Sequence, residues 1–204
     1  MSTESGMNQF DNRRRRLLVA GGLYVSGGVF AGVARAGSSE TNAQAPREMQ
    51  IHKVRELGLE IWVENQPPWR TELQRGAHPT FIAEAPEAHH PPAVMSYSSW
   101  PKERVAEGAF ATMARTAITR ASQNFGLNVA ASRALTILPA KHASLSGHEA
   151  DFVGTVQGVA MDVRIFVGQE KGRFPVVLTL YTRKGKIHHL EQHVRRAWGR
   201  LAYL

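Results

Sequence analysis

Between residues 102 and 125, apolar side chains recur every three or four positions, as Val105, Ala106, Ala109, Phe110, Met113, Ala117, Ile118, Ala121 and Phe125. That spacing places them on one stripe of an amphipathic helix, with Gly126 as its stop. The stripe is rich in alanine, so the helix can lie close on a sheet. On either side the chain changes character. LGLEIWVEN and WRTEL are separated by the Gln66-Pro67-Pro68 breaker, and PTFIAEAP and AVMSYSSW flank the loop EAHHPP. After the helix come RALTIL, a turn at Gly147-His148, EADFVGTVQ, VAMDVRIFVG and, past EKGR, FPVVLTLYTR. Short, turn-bounded runs of this kind read as strands. In one of them Met161, Val163, Ile165 and Val167 alternate with Asp162 and Arg164, which predicts one buried and one wetter sheet face. A closing helix is expected from about Gly185, because Ile187, Leu190, Val194, Trp198 and Leu201 share a stripe at about 100° per residue. The order specifies an α+β fold: an antiparallel β-sheet packed against one long central helix and a C-terminal helix.

A chain of 204 residues, 43% of them hydrophobic, can build one core unaided. It contains no cysteine, which excludes disulfide staples, zinc-thiolate and iron-sulfur sites and any cysteine nucleophile. The N-terminus reads as an export signal. A polar start, MSTESGMNQFDN, leads into Arg13 to Arg16, then into LLVAGGLYVSGGVFAGVA, then into Ala34-Arg35-Ala36. That is an n-region, an h-region and a small-x-small cleavage site. With Arg14 and Arg15 as the pair and Leu17 and Leu18 behind them, the segment resembles the twin-arginine motif. It departs from that motif in carrying Arg13 where Ser or Thr is usual and in lacking the later Lys. Five glycines weaken the apolar stretch as a membrane span, which favours a cleaved signal over an anchor. The expected organisation is a signal over residues 1–36, a flexible tether over 37–48 (GSSETNAQAPRE), and one domain over 49–204 in the periplasm. The twin-arginine translocase is the expected partner during export.

The formal charge is +8, but five of the 25 basic and two of the 17 acidic residues belong to the signal. The remaining 20 basic and 15 acidic residues are interspersed, giving +5 and a mildly basic solvated surface rather than a nucleic-acid footprint.

The strand Leu57 to Glu64 running into Pro68-Trp69, the Phe81 strand, the single helix, the segment Leu145 to Ala150 ahead of long strands, and a terminal helix with Trp198 together resemble the PsbP-like (PsbP/DcrB) family. The resemblance covers most of residues 50–204. It implies an α+β sandwich and a non-catalytic binder or assembly factor, and no catalytic set is shared with it.

Chemistry is concentrated in a few places. His189 and His193 stand four apart and would share one helical face with Arg196 and Arg200, pointing away from the Leu190, Val194 and Trp198 stripe. Two imidazoles at that spacing can chelate a metal, and His89 and His90 form a second pair beside Glu84 and Glu87. HLEQH is not the HExxH of zinc proteases, however, and neighbouring guanidinium groups favour an anion over a cation. Trp62, Trp69 and Trp100 could line a ligand groove, with Trp62 on the same strand face as Glu60 and Glu64 and opposite Leu57, Leu59, Ile61 and Val63. The serine of ASLSGHE is in no GxSxG elbow, and neither GxGxxG nor GxxxxGK[ST] occurs, so no cofactor is expected. The expectation is an exported, non-enzymatic accessory or binding protein for an envelope protein or small ligand. A periplasmic copper or zinc binder using His89, His90, His189 and His193 is the alternative.

Overall fold

The computed structural model describes residues 48–156 and 158–204. The expected signal, with Arg14, Arg15, Ala34 and Ala36, and nearly all of the expected tether lie outside the described residues. Five strands come first: β1 (Met49–Val54), β2 (Leu59–Glu64), β3 (Arg70–Gln74), β4 (Thr80–Glu84) and β5 (Ala93–Ser99). Helix α1 (Glu107–Asn124) and the short α2 (Val129–Arg133) come after them. Then come β6 (Leu138–His142), β7 (Leu145–Val156), β8 (Val159–Gln169) and β9 (Val176–Arg183). The C-terminal segment is a 3-10 turn (Ile187–Leu190), α3 (Glu191–Ala197), a second 3-10 turn (Trp198–Arg200) and the two-residue strand β10 (Ala202–Tyr203). Among the described residues no helix is long and apolar enough to cross a membrane.

The chain is α+β, as the period change requires, but strands dominate it. Seven form one antiparallel sheet in the order β3-β4-β5-β9-β8-β7-β6, and β1, β2 and β10 form a second, in the order β1-β2-β10. Alternation divides the large sheet between two cores. Ile82, Val94, Met161, Val163, Ile165, Val167, Val177 and Tyr181 face α1, which buries Phe110, Ala114, Ile118 and Ala121 against them. Phe81, Met95, Tyr97, Phe166, Leu178 and Leu180 face the other way, toward Leu57, Leu59, Ile61 and Val63 and toward Leu190, Val194, Trp198 and Leu201 of the C-terminal segment. The small sheet and the C-terminal segment together cover that side.

Five expectations change. RALTIL, read as a strand, covers the end of α2 and the irregular segment after it, and only Leu138 enters β6. Helix α1 begins at Glu107, five residues late, because the Val105 carbonyl accepts a 3.3 Å hydrogen bond from Gln169 and Ala106 is extended. The turn expected at Gly147-His148 lies at Ala143-Ser144 instead. Gly147 is needed for close packing, since a Cβ there would stand 2.0 Å from the Val167 carbonyl oxygen. Both faces of β8 are buried: Asp162 is satisfied by the C-terminal segment, and Arg164 by Asp151 of β7 together with Glu191 of that segment. The closing helix, finally, is broken into two 3-10 turns around two turns of α-helix. Gly126 does stop α1, at φ +81°, and the helix end is pinned where the Thr155 amide donates to the Phe125 carbonyl at 2.7 Å.

Candidate functional site

Strand register decides which segments meet. Ala93 of β5 pairs with Thr182 of β9, and Thr182 pairs with Asp162 of β8, so the loop 85–92 emerges beside the chain leaving β9. Thr182 Oγ1 donates to the Pro92 carbonyl at 2.5 Å, tying the end of β9 to that loop. Asp162, 7% exposed, accepts the Lys186 and Ile187 amides at 2.8 and 3.0 Å and so fixes the turn into the C-terminal segment. Between the two lies a shallow cavity of about 250 Å³, lined by His90, Pro91 and Pro92 on one side and by Arg183, Lys186 and His189 on the other.

Next to the cavity the same segments pack ring on ring. The imidazole of His89 meets that of His193 at 4.9 Å between centroids and 71°, and both rings contact Trp69, at 5.5 and 6.0 Å. Nδ1 of His89 is 2.8 Å from the Pro91 carbonyl. A carbonyl can only accept, so Nδ1 carries the proton. Nδ1 of His193 stands 3.0 Å from Glu64 Oε1, and Arg196 Nε stands 3.0 Å from the same oxygen. The Arg196 N–H is not aimed along that line, so the contact is an ion pair rather than a hydrogen bond. Arg196 Nη1 also reaches Glu48 at 3.3 Å. Burial lowers the His89 pKa below the ordinary histidine value. The Pro91 hydrogen bond and Glu64 oppose the shift, and His193 and His90 add to it.

The four histidines proposed from sequence are therefore brought to one junction, but in a new pairing: His89 with His193, and His90 with His189 around the cavity. The outward face of His189, His193, Arg196 and Arg200 does not form. A 3-10 turn advances 120° per residue where an α-helix advances 100°, so the break at Leu190 rotates His193 and Arg196 onto Glu64 while His189 stays exposed. Arg200 lies over the Trp62 ring at 5.3 Å. The tryptophans do not share a groove. Trp69 is buried in the core beneath the small sheet, Trp100 packs on the α1 side of the large sheet, and Trp62 is half-buried under Arg200.

Among the described residues no group of three or more His, Cys, Asp or Glu side chains is placed to hold a metal ion. The His90 and His189 pair has Arg183 and Lys186 beside it in the cavity lining, whereas the His89 and His193 pair has both Arg196 and the Glu64 carboxylate. Fixed positive charge disfavours a bound cation in the cavity. Arg183, Lys186 and Asp162 were missed as site residues. The run Arg183-Lys184-Gly185-Lys186 beside a predicted strand end was the available signal.

A second polar cluster holds the C-terminal segment down. Arg164, 8% exposed, donates to both oxygens of Asp151 at 2.7 Å and to Glu191 at 3.0 Å, and stands 3.5 Å from Glu149, which pairs with His142 at 2.8 Å. Burial alone would lower the Arg164 pKa, but the Asp151 and Glu191 hydrogen bonds outweigh it and raise the value. The cluster sets three carboxylates, Glu149, Asp151 and Glu191, around Arg164 and fastens α3 to β7 and β8.

No family model and no curated protein matches the chain. Solved structures similar in outline include the following two. A protein from Bacteroides thetaiotaomicron is 8% identical with a TM-score of 0.46, over 72% of this chain and 45% of its own. PA94, a protein of unknown function from Pseudomonas aeruginosa, is 14% identical with a TM-score of 0.42, over 77% of this chain and 98% of its own. This chain spans less than half the length of the Bacteroides protein, and at these scores neither likeness carries an argument.

Proposed function

We propose that this chain is a non-catalytic binding protein of the cell envelope, exported by the twin-arginine route, with a PsbP-like sandwich that presents an anion-binding junction to its partner. One observation carries the reading: segments about a hundred residues apart in sequence converge so that His90, Arg183, Lys186 and His189 line one open cavity without a carboxylate among them. Cationic and imidazole side chains at close quarters raise the local concentration of anions and steer them.

The test is capture from envelope extracts with wild-type chain and with Lys186→Glu combined with His189→Glu. Both side chains are exposed, so the fold should survive. The expected result is a partner or ligand held at low salt, released as salt shortens the Debye length to about 3 Å at 1 M, and absent from the double variant. A ligand retained equally by the variant overturns the assignment to this junction.

A further inference from the structure

Resting on the reading of the junction as an anion site, we infer that the cavity takes a phosphoryl group. Four of its six lining residues bring nitrogen, the other two are prolines, and no carboxylate faces it. Glu87, on the same loop as His90, is not among the residues lining the cavity, and three other nearby acidic side chains are engaged within the fold. Asp162 holds the Lys186 and Ile187 amides, Glu64 faces His193 and Arg196, and Glu191 is bound by Arg164. Arg183 has a further intramolecular interaction, so Lys186 is the cation of the site, with His90 and His189 as donors from two separate segments.

A carboxylate is planar, carries one charge, and is served by a single fork of donors. A phosphoryl group carries a charge of about −1.5 to −2 near neutral pH and three terminal oxygens, so it accepts donors that arrive from different directions. Donors supplied by two separate chain segments fit the second better than the first. The cavity is open rather than enclosed, so it admits free phosphate and also a phosphate at the end of a larger molecule, including a lipid headgroup.

The experiment titrates the full chain with inorganic phosphate and, separately, with acetate, tracking the NMR signals of His90, Lys186 and His189. In parallel, co-sedimentation is measured with phosphatidylcholine vesicles with and without phosphatidic acid. Phosphate should shift those signals saturably. Lys186→Glu should weaken binding about tenfold or more, a change equivalent to about 1.4 kcal/mol, and His189→Gln should weaken it by less. Arg195→Glu, an exposed charge outside the cavity lining, should leave it unchanged. Vesicle binding that depends on phosphatidic acid and on Lys186 identifies a headgroup, and a response to free phosphate alone identifies a soluble phosphate; either supports the proposal. Acetate saturating the same signals as tightly as phosphate overturns the phosphoryl class and leaves the anion site standing. No response to phosphate, acetate or vesicles overturns both, and equal losses in Lys186→Glu and Arg195→Glu overturn the cavity in favour of diffuse charge.

Discussion

A buried imidazole gives up its proton more readily than a solvated one, and His89 carries that cost into the junction. Its ring is wedged between Trp69 and His193, and burial lowers its pKa in the folded protein. In the unfolded chain a histidine titrates near 6.5, so the folded state binds this proton less tightly than the unfolded one. The stability tied to neutral His89 is present in full above about pH 6.5 and is lost as pH falls through the lower folded value. Burial shifts His52 and His148 the same way. Urea midpoints measured at pH 7.5 and 5.5 should therefore fall with acid, and the fall should be smaller in His89→Gln. An identical fall in wild type and variant removes His89 from the account. At this scale the sequence singles out the residue types but not how they pair. His89, His90, His189 and His193 stand out as two doublets, whereas Glu64 reads as one more outward carboxylate on a strand and is 6% exposed under Arg196 and His193. Nothing local distinguishes it from Glu60, because its partners lie some 130 residues away.

The C-terminal element was legible in its buried face and illegible in its polar one. Leu190, Val194, Trp198 and Leu201 are all at most 3% exposed, as their spacing requires. The directions of the polar side chains depended on an unbroken helix, and the 3-10 turns at either end of α3 shift the phase by about 20° for each residue they contain. The break has its origin in tertiary anchors: Asp162 caps the first turn, and β10 must leave the second to pair with β2. Trp198, fully buried and touched edge-on by His142 at 5.2 Å, should cost about 3 to 5 kcal/mol when changed to alanine. Denaturant titration reads this directly, and a loss below about 1 kcal/mol would show that the site collapses onto the gap. Strands fared better because alternation needs only a period of two. VAMDVRIFVG and FPVVLTLYTR fall almost wholly within β8 and β9, while β1 and α2 went unrecognised, being short and weakly patterned.

At the scale of the molecule, export is the property on which the proposed setting depends. Arg14→Lys with Arg15→Lys should block delivery to the periplasm, because lysine cannot reproduce the planar fork of a guanidinium pair. Replacing Arg13 to Arg16 together guards against a shifted pair. Undiminished delivery of that variant, measured by fractionation and immunoblotting, removes the twin-arginine route. The α+β class could be read from the order of periods, but the second sheet could not, since two of its three strands were not expected and β10 has only two residues. Strand order in the large sheet has a consequence for the time course of folding. β9 lies between β5 and β8, and pairing with β5 joins residues roughly 80 positions apart, a separation typical of chains that fold in milliseconds to seconds rather than microseconds. Until residues 176–183 are inserted, the ribbon β3-β4-β5 and the ribbon β8-β7-β6 share no strand, so the seven-stranded sheet cannot be completed until nearly nine-tenths of the 204 residues have been synthesised.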